Sequence, residues 1–477
     1  MRDVPDTLTP DLCIIGAGSG GLSVAAGAVQ MGASVVLIED HKMGGDCLNY
    51  GCVPSKAIIA ASKKAYAHRS SASYGVAANE PAVDYAQVMG HVAGAIATIA
   101  PHDSEERFEE LGCTVIRARG RFVAPDAVEA GSHTIKARRF VVATGSSPLV
   151  PPIPGLEDVP YLTNETLWEN RDLPGHLLII GGGPIGLEQA QAHRRLGSQV
   201  TVLEGMKTFG RDDPELAAVA LTKLRDEGID IREGAKVERV SGTAGAVTLH
   251  LSGGDEVTGT HLLMAAGRAA NVGDLGLEAA GVEFDRKGIK IDKGLRSISN
   301  RKVYAIGDVA GGLQFTHVAN YHAGLVIRNA LFRMPVTAKT EHIPWVTYTD
   351  PELAQVGLTE AEAKEQHGDK VEIARFEFAG NDRAIADGRT EGLIKAMIGR
   401  KGRILGASIV GPSAGEIIHP WALAMANGLK IGAVAGMVAP YPTLGEVTKR
   451  AAGAYYSPRL FESAFVKRAV RLLAKLG

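Results

Sequence analysis

The chain has 477 residues, 45% hydrophobic and 22% charged, the balance of an ordinary folded protein; at roughly 100 to 200 residues per domain it holds about three domains. A formal net charge of −2 excludes bulk electrostatic binding to nucleic acid, which needs clustered Lys and Arg. The opening MRDVPDTLTPDLCIIGAG lacks a basic segment followed by a long apolar one, and no run reaches the about 18 apolar residues of a membrane span, so a soluble, cytoplasmic protein without a secretory leader is expected.

Leu12-Cys13-Ile14-Ile15 reads as a buried strand that runs into Gly16-Ala17-Gly18-Ser19-Gly20-Gly21. A helix-like stretch follows, then a second apolar strand that ends on Glu39. In such a strand–turn–helix, Gly16 allows the tight turn, Gly18 lets backbone approach a pyrophosphate, and Gly21 allows helix to pack closely on strand. The helix N-terminus offers unpaired N–H groups to the phosphates, and Glu39 would accept hydrogen bonds from ribose hydroxyls.

Only four cysteines occur, too few for a disulfide framework, so a close pair becomes a candidate for catalysis. Cys47 and Cys52 form that pair, in GGDCLNYGCVPSK. Asn49 and Gly51 permit the bend that would bring two thiols with four residues between them together. Pro54 suits an early helix position, where its missing N–H is no loss. That places Cys52 at a helix N-terminus with Lys56 one turn on, both of which favour thiolate over thiol. The spacing does not fit a CxxC zinc knuckle, and no metal site is expected. Cys13, in an apolar strand, and Cys113, near a turn, read as structural.

Phe140-Val141-Val142-Ala143-Thr144-Gly145 reads as a further strand closing on a glycine turn, and residues 148–154 hold four prolines, a stiff extended crossing suited to a domain boundary. The opening grammar then recurs. A strand at Leu177 to Ile180 meets Gly181, Gly183 and Gly186, and a second strand from Gln199 ends on Glu204, at the same spacing from the last glycine as Glu39. One GxGxxG is a weak signal, whereas two in register imply two dinucleotides. His261 to Arg268, with Gly267, repeats the late strand and turn. From about residue 341 strands and amphipathic helices alternate without another glycine motif, which suggests a third folding unit. The last stretch, from Pro458, mixes Phe461, Phe465 and Leu472 with Lys467, Arg468 and Arg471; it reads as a basic amphipathic helix that packs on a dimer or touches a membrane surface.

These motifs together resemble the pyridine nucleotide-disulfide oxidoreductase family, which includes dihydrolipoamide dehydrogenase, glutathione reductase and mercuric reductase. The resemblance continues in Ala305-Ile306-Gly307-Asp308, in Tyr348-Thr349-Asp350-Pro351-Glu352 and in Tyr441-Pro442-Thr443-Leu444-Gly445-Glu446, and so spans the chain. It implies an α/β fold: two Rossmann-like domains and an α+β dimerisation domain. Residues 1–150 and 281–340 would bind FAD, 151–280 the nicotinamide nucleotide, and 341–477 would form a homodimer. It further implies FAD contacts from Gly45, Lys56, Thr144, Gly145 and Asp308, and nucleotide contacts from Gly267. Cys52 would be the flavin-side thiolate, Cys47 the thiol that exchanges with a disulfide or dithiol substrate, and Lys56 with Glu188 an ion pair beside the two rings.

Relatives that act on dihydrolipoamide or glutathione carry His where this chain has Tyr441, with Glu446 kept as the orienting acid. A phenol, with a pKa of about 10 against about 6.5 for imidazole, is a poor base at neutral pH. Tyr at that position is similar to mercuric reductases, yet neither a leading CxxC metal-delivery domain nor a late Cys pair is present in the sequence, so mercuric ion is the second substrate expectation. A flavin-bound redox sensor is a third expectation, of a different class. His419 could replace the base but reads as structural, as do His317 and His322. Glu204 would repel a 2′-phosphate, so NADH is expected over NADPH.

Overall fold

The computed structural model describes residues 7–476; Met1–Asp6 and Gly477, with the outermost limits of the first and last expected domains and part of the leader reading, lie outside the described residues. The chain forms two compact units, one of residues up to 205 with 234–338, the other of 206–233 with 339–477.

In the first unit a five-stranded parallel sheet is ordered Val303–Ala305, Arg139–Val142, Leu12–Ile15, Val35–Ile38, Thr114–Ile116. Its strands are almost unbroken apolar runs because both faces are covered. Leu12, Ile14, Leu37 and Val141 pack with the helices Ser19–Gln30 and Thr316–Phe332. Their neighbours Cys13, Ile15, Val36, Phe140 and Val142 face the opposite layer with Phe122 and Val128, which buries Cys13 completely and gives it a packing role.

A second parallel sheet of the same unit pairs His176–Ile180 with Gln199–Glu204 on one side and with His261–Met264 on the other. An antiparallel meander, Val237–Thr243, Ala246–Leu251 and Glu256–Gly259, contributes Val240, Leu249 and Val257 to its core. The helix Pro184–Leu196 is buried along most of its length and packs on the helix Cys52–Ser70. Tyr85 and His193 share a hydrogen bond at 3.0 Å beneath that contact, and the Arg195 guanidinium lies 4.0 Å from the Tyr66 ring centre.

The second unit is built on a five-stranded antiparallel sheet, ordered Pro344–Thr347, Glu352–Gly357, Ile404–Gly411, Leu393–Ile398, Glu372–Glu377. Trp421, Phe378 and Val447 fill its core. The helix Pro214–Asp226 belongs to this unit, although the resemblance puts it within the expected nucleotide-binding stretch 151–280. Asp213 accepts the Glu215 N–H at its start and also faces buried Lys395, whose Nζ lies 2.6 Å from Glu215 and 2.8 Å from Glu360. Those carboxylates hold the Lys395 ammonium charged against the cost of burial, and its pKa lies above the usual lysine value. Among the described residues no helix is long and apolar enough to cross a membrane.

Candidate active site

The two glycine turns have the same construction. Gly16 and Gly181 sit at φ +106° and +117°, and a Cβ on either would lie 2.5 or 2.3 Å from a carbonyl oxygen, of Ala143 or Ala265. At Gly21 and Gly186 a Cβ would come within 1.9 and 2.0 Å of the carbonyl oxygen of Gly16 and Gly181, and 3.3 Å from Ile14 and Ile179 on the preceding strands. The third glycine therefore closes the helix onto its own turn as well as onto the strand. The middle glycines are different, because a Cβ on Gly18 would find only the Gly45 Cα, at 3.9 Å, and one on Gly183 nothing within 4 Å. Each turn thus presents bare backbone to open space at the head of a helix, which fits a pyrophosphate. Glu39 and Glu204 occupy matching places, each accepting a turn N–H, from Ala17 and Gly182, at 2.7 Å.

The loop carrying Cys47 and Cys52 is sewn to the first turn. Gly44 donates its N–H to the Ala17 carbonyl at 2.9 Å, and a Cβ on Gly45 would sit 2.7 Å from the Gly18 Cα. Gly45–Asn49 makes a short helix, clamped by the Asn49 amide, which donates to the carbonyls of Met43 and Gly45. The helix Cys52–Ser70 starts on the second cysteine, with Pro54 inside its first turn.

Both cysteines are free thiols; Cys52 is exposed and Cys47 half-buried. Cys47 donates to Cys52, and this shared hydrogen bond lowers the Cys52 thiol to about 6, helped by the Thr316 hydroxyl and the Lys56 ammonium and opposed by burial and Asp46. The same hydrogen bond, with burial, pushes Cys47 well above the ordinary thiol range. Near neutral pH the pair therefore holds one negative charge, on Cys52. Thr316 Oγ1 lies 3.3 Å from Cys52 Sγ, at the first residue of the helix Thr316–Phe332. No local signal marks Thr316 in the sequence, since it stands 264 residues from Cys52.

One turn into the helix Cys52–Ser70, Lys56 Nζ donates to Glu188 Oε2 at 2.8 Å, and the Glu188 side chain is only 6% exposed. The packing of helix Cys52–Ser70 on Pro184–Leu196 creates this pair, and so links the cysteines to the helix of the second glycine turn. A polar chain runs behind the loop. Ser146 donates to Asp308 Oδ2 at 2.5 Å, Arg268 donates to Ser146 Oγ at 2.7 Å, and Arg268 also meets Asp46 at 3.0 Å. Burial raises the Asp308 pKa. Asn164 donates to Asp46 at 3.1 Å, and Trp168 Nε1 to the Tyr50 carbonyl at 2.9 Å. Arg268 stands directly after Gly267, and Thr144 with Gly145 is tied to Asn271 by three hydrogen bonds. Ser146, Arg268, Asp46 and Asn164 were not singled out by the sequence, because the chain they form joins four distant segments.

In the second unit Tyr441 is 69% exposed and donates its hydroxyl to Asp382 Oδ2 at 2.8 Å. That hydrogen bond to a carboxylate raises the phenol pKa. Glu446 opens the helix Glu446–Ala454 and pairs with Arg450 at 3.0 Å. The three histidines considered as bases have ordinary surroundings. His322 is buried, lowered to about 4, and accepts the Gly307 N–H; His317 stacks on Phe315; exposed His419 meets the Glu416 carbonyl at 2.9 Å. Among the described residues no group of three or more His, Cys, Asp or Glu side chains could hold a metal ion.

Residues 10–323 match the pyridine nucleotide-disulphide oxidoreductase family, and residues 343–452 its dimerisation domain. A mercuric reductase of Streptomyces lividans is 35% identical over 458 residues, covering 94% of this chain and 96% of that protein. A dihydrolipoyl dehydrogenase of Thermus scotoductus is 34% identical over 471 residues, covering 94% and 98%. Among solved structures, the Cu(II) complex of the HOCl-induced flavoprotein disulfide reductase RclA from Escherichia coli aligns with TM-score 0.82 and 28% identity, over 92% of this chain and 98% of that one. LpdA of Mycobacterium tuberculosis aligns with TM-score 0.85 and 25% identity, over 94% and 99%. The chain belongs to the pyridine nucleotide-disulphide oxidoreductase family, FAD-dependent enzymes that use a pyridine nucleotide and here carry the family's dimerisation domain.

Proposed function

We propose that this protein is an NADH-dependent disulfide reductase that works through Cys47 and Cys52 and, run in reverse, a dithiol oxidase. The observation that carries the reading is the charge-split thiol pair on a loop sewn to the first glycine turn, with Lys56–Glu188 beside it.

The first turn, with Gly16, Gly18, Gly21, Glu39, Gly45, Thr144, Gly145 and Asp308, has the bare backbone and polar partners that FAD needs, and the second, with Gly181, Gly183, Gly186, Glu204 and Gly267, those of the nicotinamide nucleotide. FAD, when bound, supplies the two-electron path between nicotinamide and the cysteine pair. In the reductive direction Cys47 attacks a substrate disulfide and passes its proton along the shared hydrogen bond to the Cys52 thiolate. One substrate sulfur leaves as a thiolate and the other stays bonded to Cys47. Cys52, passing that proton to the departed substrate thiolate, attacks Cys47 Sγ; the Cys47–Cys52 disulfide forms and the second substrate sulfur departs as a thiolate. Two electrons pass from the cysteines to the substrate, and NADH restores them. The Glu204 carboxylate at the second turn favours a ribose hydroxyl over a 2′-phosphate, hence NADH. Tyr441 and Glu446, supplied from a second subunit of a homodimer, would line the substrate side, and the reaction belongs in the reducing cytoplasm.

A second reading, reduction of a soft metal ion held by the two thiolates, is supported by the mercuric reductase relatives and by Tyr441 in the place of a base. It predicts mercury-dependent NADH oxidation in excess thiol, and a flat trace would remove it. The first experiment is an anaerobic titration of the holoenzyme with NADH, followed by visible absorbance. A long-wavelength thiolate band after about two electrons, absent in Cys52→Ala, is expected from the assigned role of Cys52. Bleaching without that band would disconnect the cysteines from the flavin. Turnover with lipoamide, glutathione disulfide and mercuric ion then ranks the substrates.

A further inference from the structure

The family match ends at residue 452, yet the chain goes on to form a short π-helix, Pro458–Glu462, and then the helix Ala464–Leu473. Ser463 starts it, its hydroxyl oxygen accepting the Val466 N–H at 3.3 Å. At 3.6 residues per turn, Phe465, Val466, Ala469, Leu472, Leu473 and, just beyond the helix, Leu476 fall on one side. Lys467, Arg468, Arg471 and Lys475 fall on the other, and residues 463–476 contain no carboxylate side chain. A helix that stabilises its own domain buries its apolar stripe. This one buries no residue: Phe465 is 80% exposed, Leu472 64%, Leu473 62% and Leu476 76%.

We propose that this helix docks the protein on a bilayer containing anionic phospholipid. An apolar face backed by an all-cationic one is what lies flat at a bilayer surface, with aromatic and leucine side chains among the acyl chains and Lys and Arg reaching headgroup phosphates. The four cations stand on a chain whose formal net charge is −2, so their clustering is local and calls for an anionic surface. A second copy of the helix would cover the apolar face but bring four more cations and no acid. A bilayer supplies both the apolar layer and the phosphates. The element is peripheral, since no helix among the described residues can cross a membrane.

The test is co-sedimentation of the full-length holoenzyme with vesicles of phosphatidylcholine alone, or of phosphatidylcholine with phosphatidylglycerol. Binding is expected to the second kind, weakened by salt and lost when Phe465→Asp and Leu473→Asp are combined, with NADH turnover unchanged. Arg471→Ala should weaken binding about fivefold, the worth of one cation near an anionic surface. Protein that stays in the supernatant with phosphatidylglycerol vesicles, or that binds both kinds equally, overturns the proposal. So does a double variant whose molar mass by light scattering falls by half, because the helix would then be covered by a second copy.

Discussion

The two glycine turns share a backbone and differ in what surrounds them. Both place a carboxylate 2.7 Å from a turn N–H, and both use a third glycine that tolerates no Cβ. The first is joined to the cysteine loop through Gly44 and Gly45, whereas a Cβ on Gly183 of the second would meet nothing within 4 Å. A turn that shares backbone with the cysteines suits a resident group; an open one suits a group that comes and goes once per turnover. On the proposed function, the same local sequence grammar would serve two binding regimes, decided by what the chain packs against it.

The sharpest way to break this comparison is to add a methyl group to each turn. Gly21→Ala and Gly186→Ala both drive Cβ into a carbonyl oxygen, a backbone collision that should cost more than about a hundredfold in ligand affinity. The expected split is a colourless protein from Gly21→Ala, and from Gly186→Ala a yellow one that NADH reduces hundreds of times more slowly, on the order expected for such a clash. Flavin absorbance per protein and stopped-flow reduction read the two. Equal loss of flavin in both variants would make the turns interchangeable and end the assignment.

Gly183→Ala probes the open side. Its Cβ meets no protein atom, so Tm should hold while KM for NADH rises about tenfold because a phosphate can no longer approach. An unchanged KM would mean that the space is not a cradle. Thr316→Val probes the thiol end of the first region. Cys52 is held at about 6, so its thiolate, and with it alkylation by iodoacetamide, grows as pH rises through that value instead of through 9.0. Removing a hydroxyl donor disfavours the thiolate, and the midpoint should move up by about one pH unit, with Thr316→Ser restoring it. A midpoint that stays put would leave Thr316 with packing alone. The smallest effect is expected from Glu204→Gln, which should lower the NADH-to-NADPH ratio of kcat/KM about fivefold by removing a charge that repels the 2′-phosphate.

Much of this was legible in the sequence because glycine and cysteine act through backbone geometry at fixed spacing. Gly16, Gly21, Gly181 and Gly186 are required by contacts that any side chain would break, and the start of a helix at Cys52 follows from Pro54. Lys56 and Glu188 could be named through the family resemblance, and helix packing brings them to 2.8 Å. The chain Asp46–Arg268–Ser146–Asp308, the Thr316 hydroxyl and the Asp382 partner of Tyr441 were not legible. Each joins side chains from segments far apart, and neither periodicity nor spacing encodes such meetings. The burial of Pro184–Leu196 along most of its length is also hidden, since polar Gln189, Gln191, His193 and Arg195 are among its buried residues.

The passage of residues 206–233 into the second unit gives the protein an unusual indivisibility. A gene cut after residue 338 would yield a product whose helix Pro214–Asp226 exposes Leu216, Leu221 and Leu224 and whose Asp213 and Glu215 have lost Lys395. The complementary piece, from 339 onward, would carry Lys395 with Glu360 but without those two acids, and its strands Glu352–Gly357 and Ile404–Gly411 would lack the helix that packs on them. Recombination that shuffles the C-terminal unit between relatives therefore has to carry this inner segment with it, so the two stretches are expected to be inherited as one block although more than a hundred residues separate them.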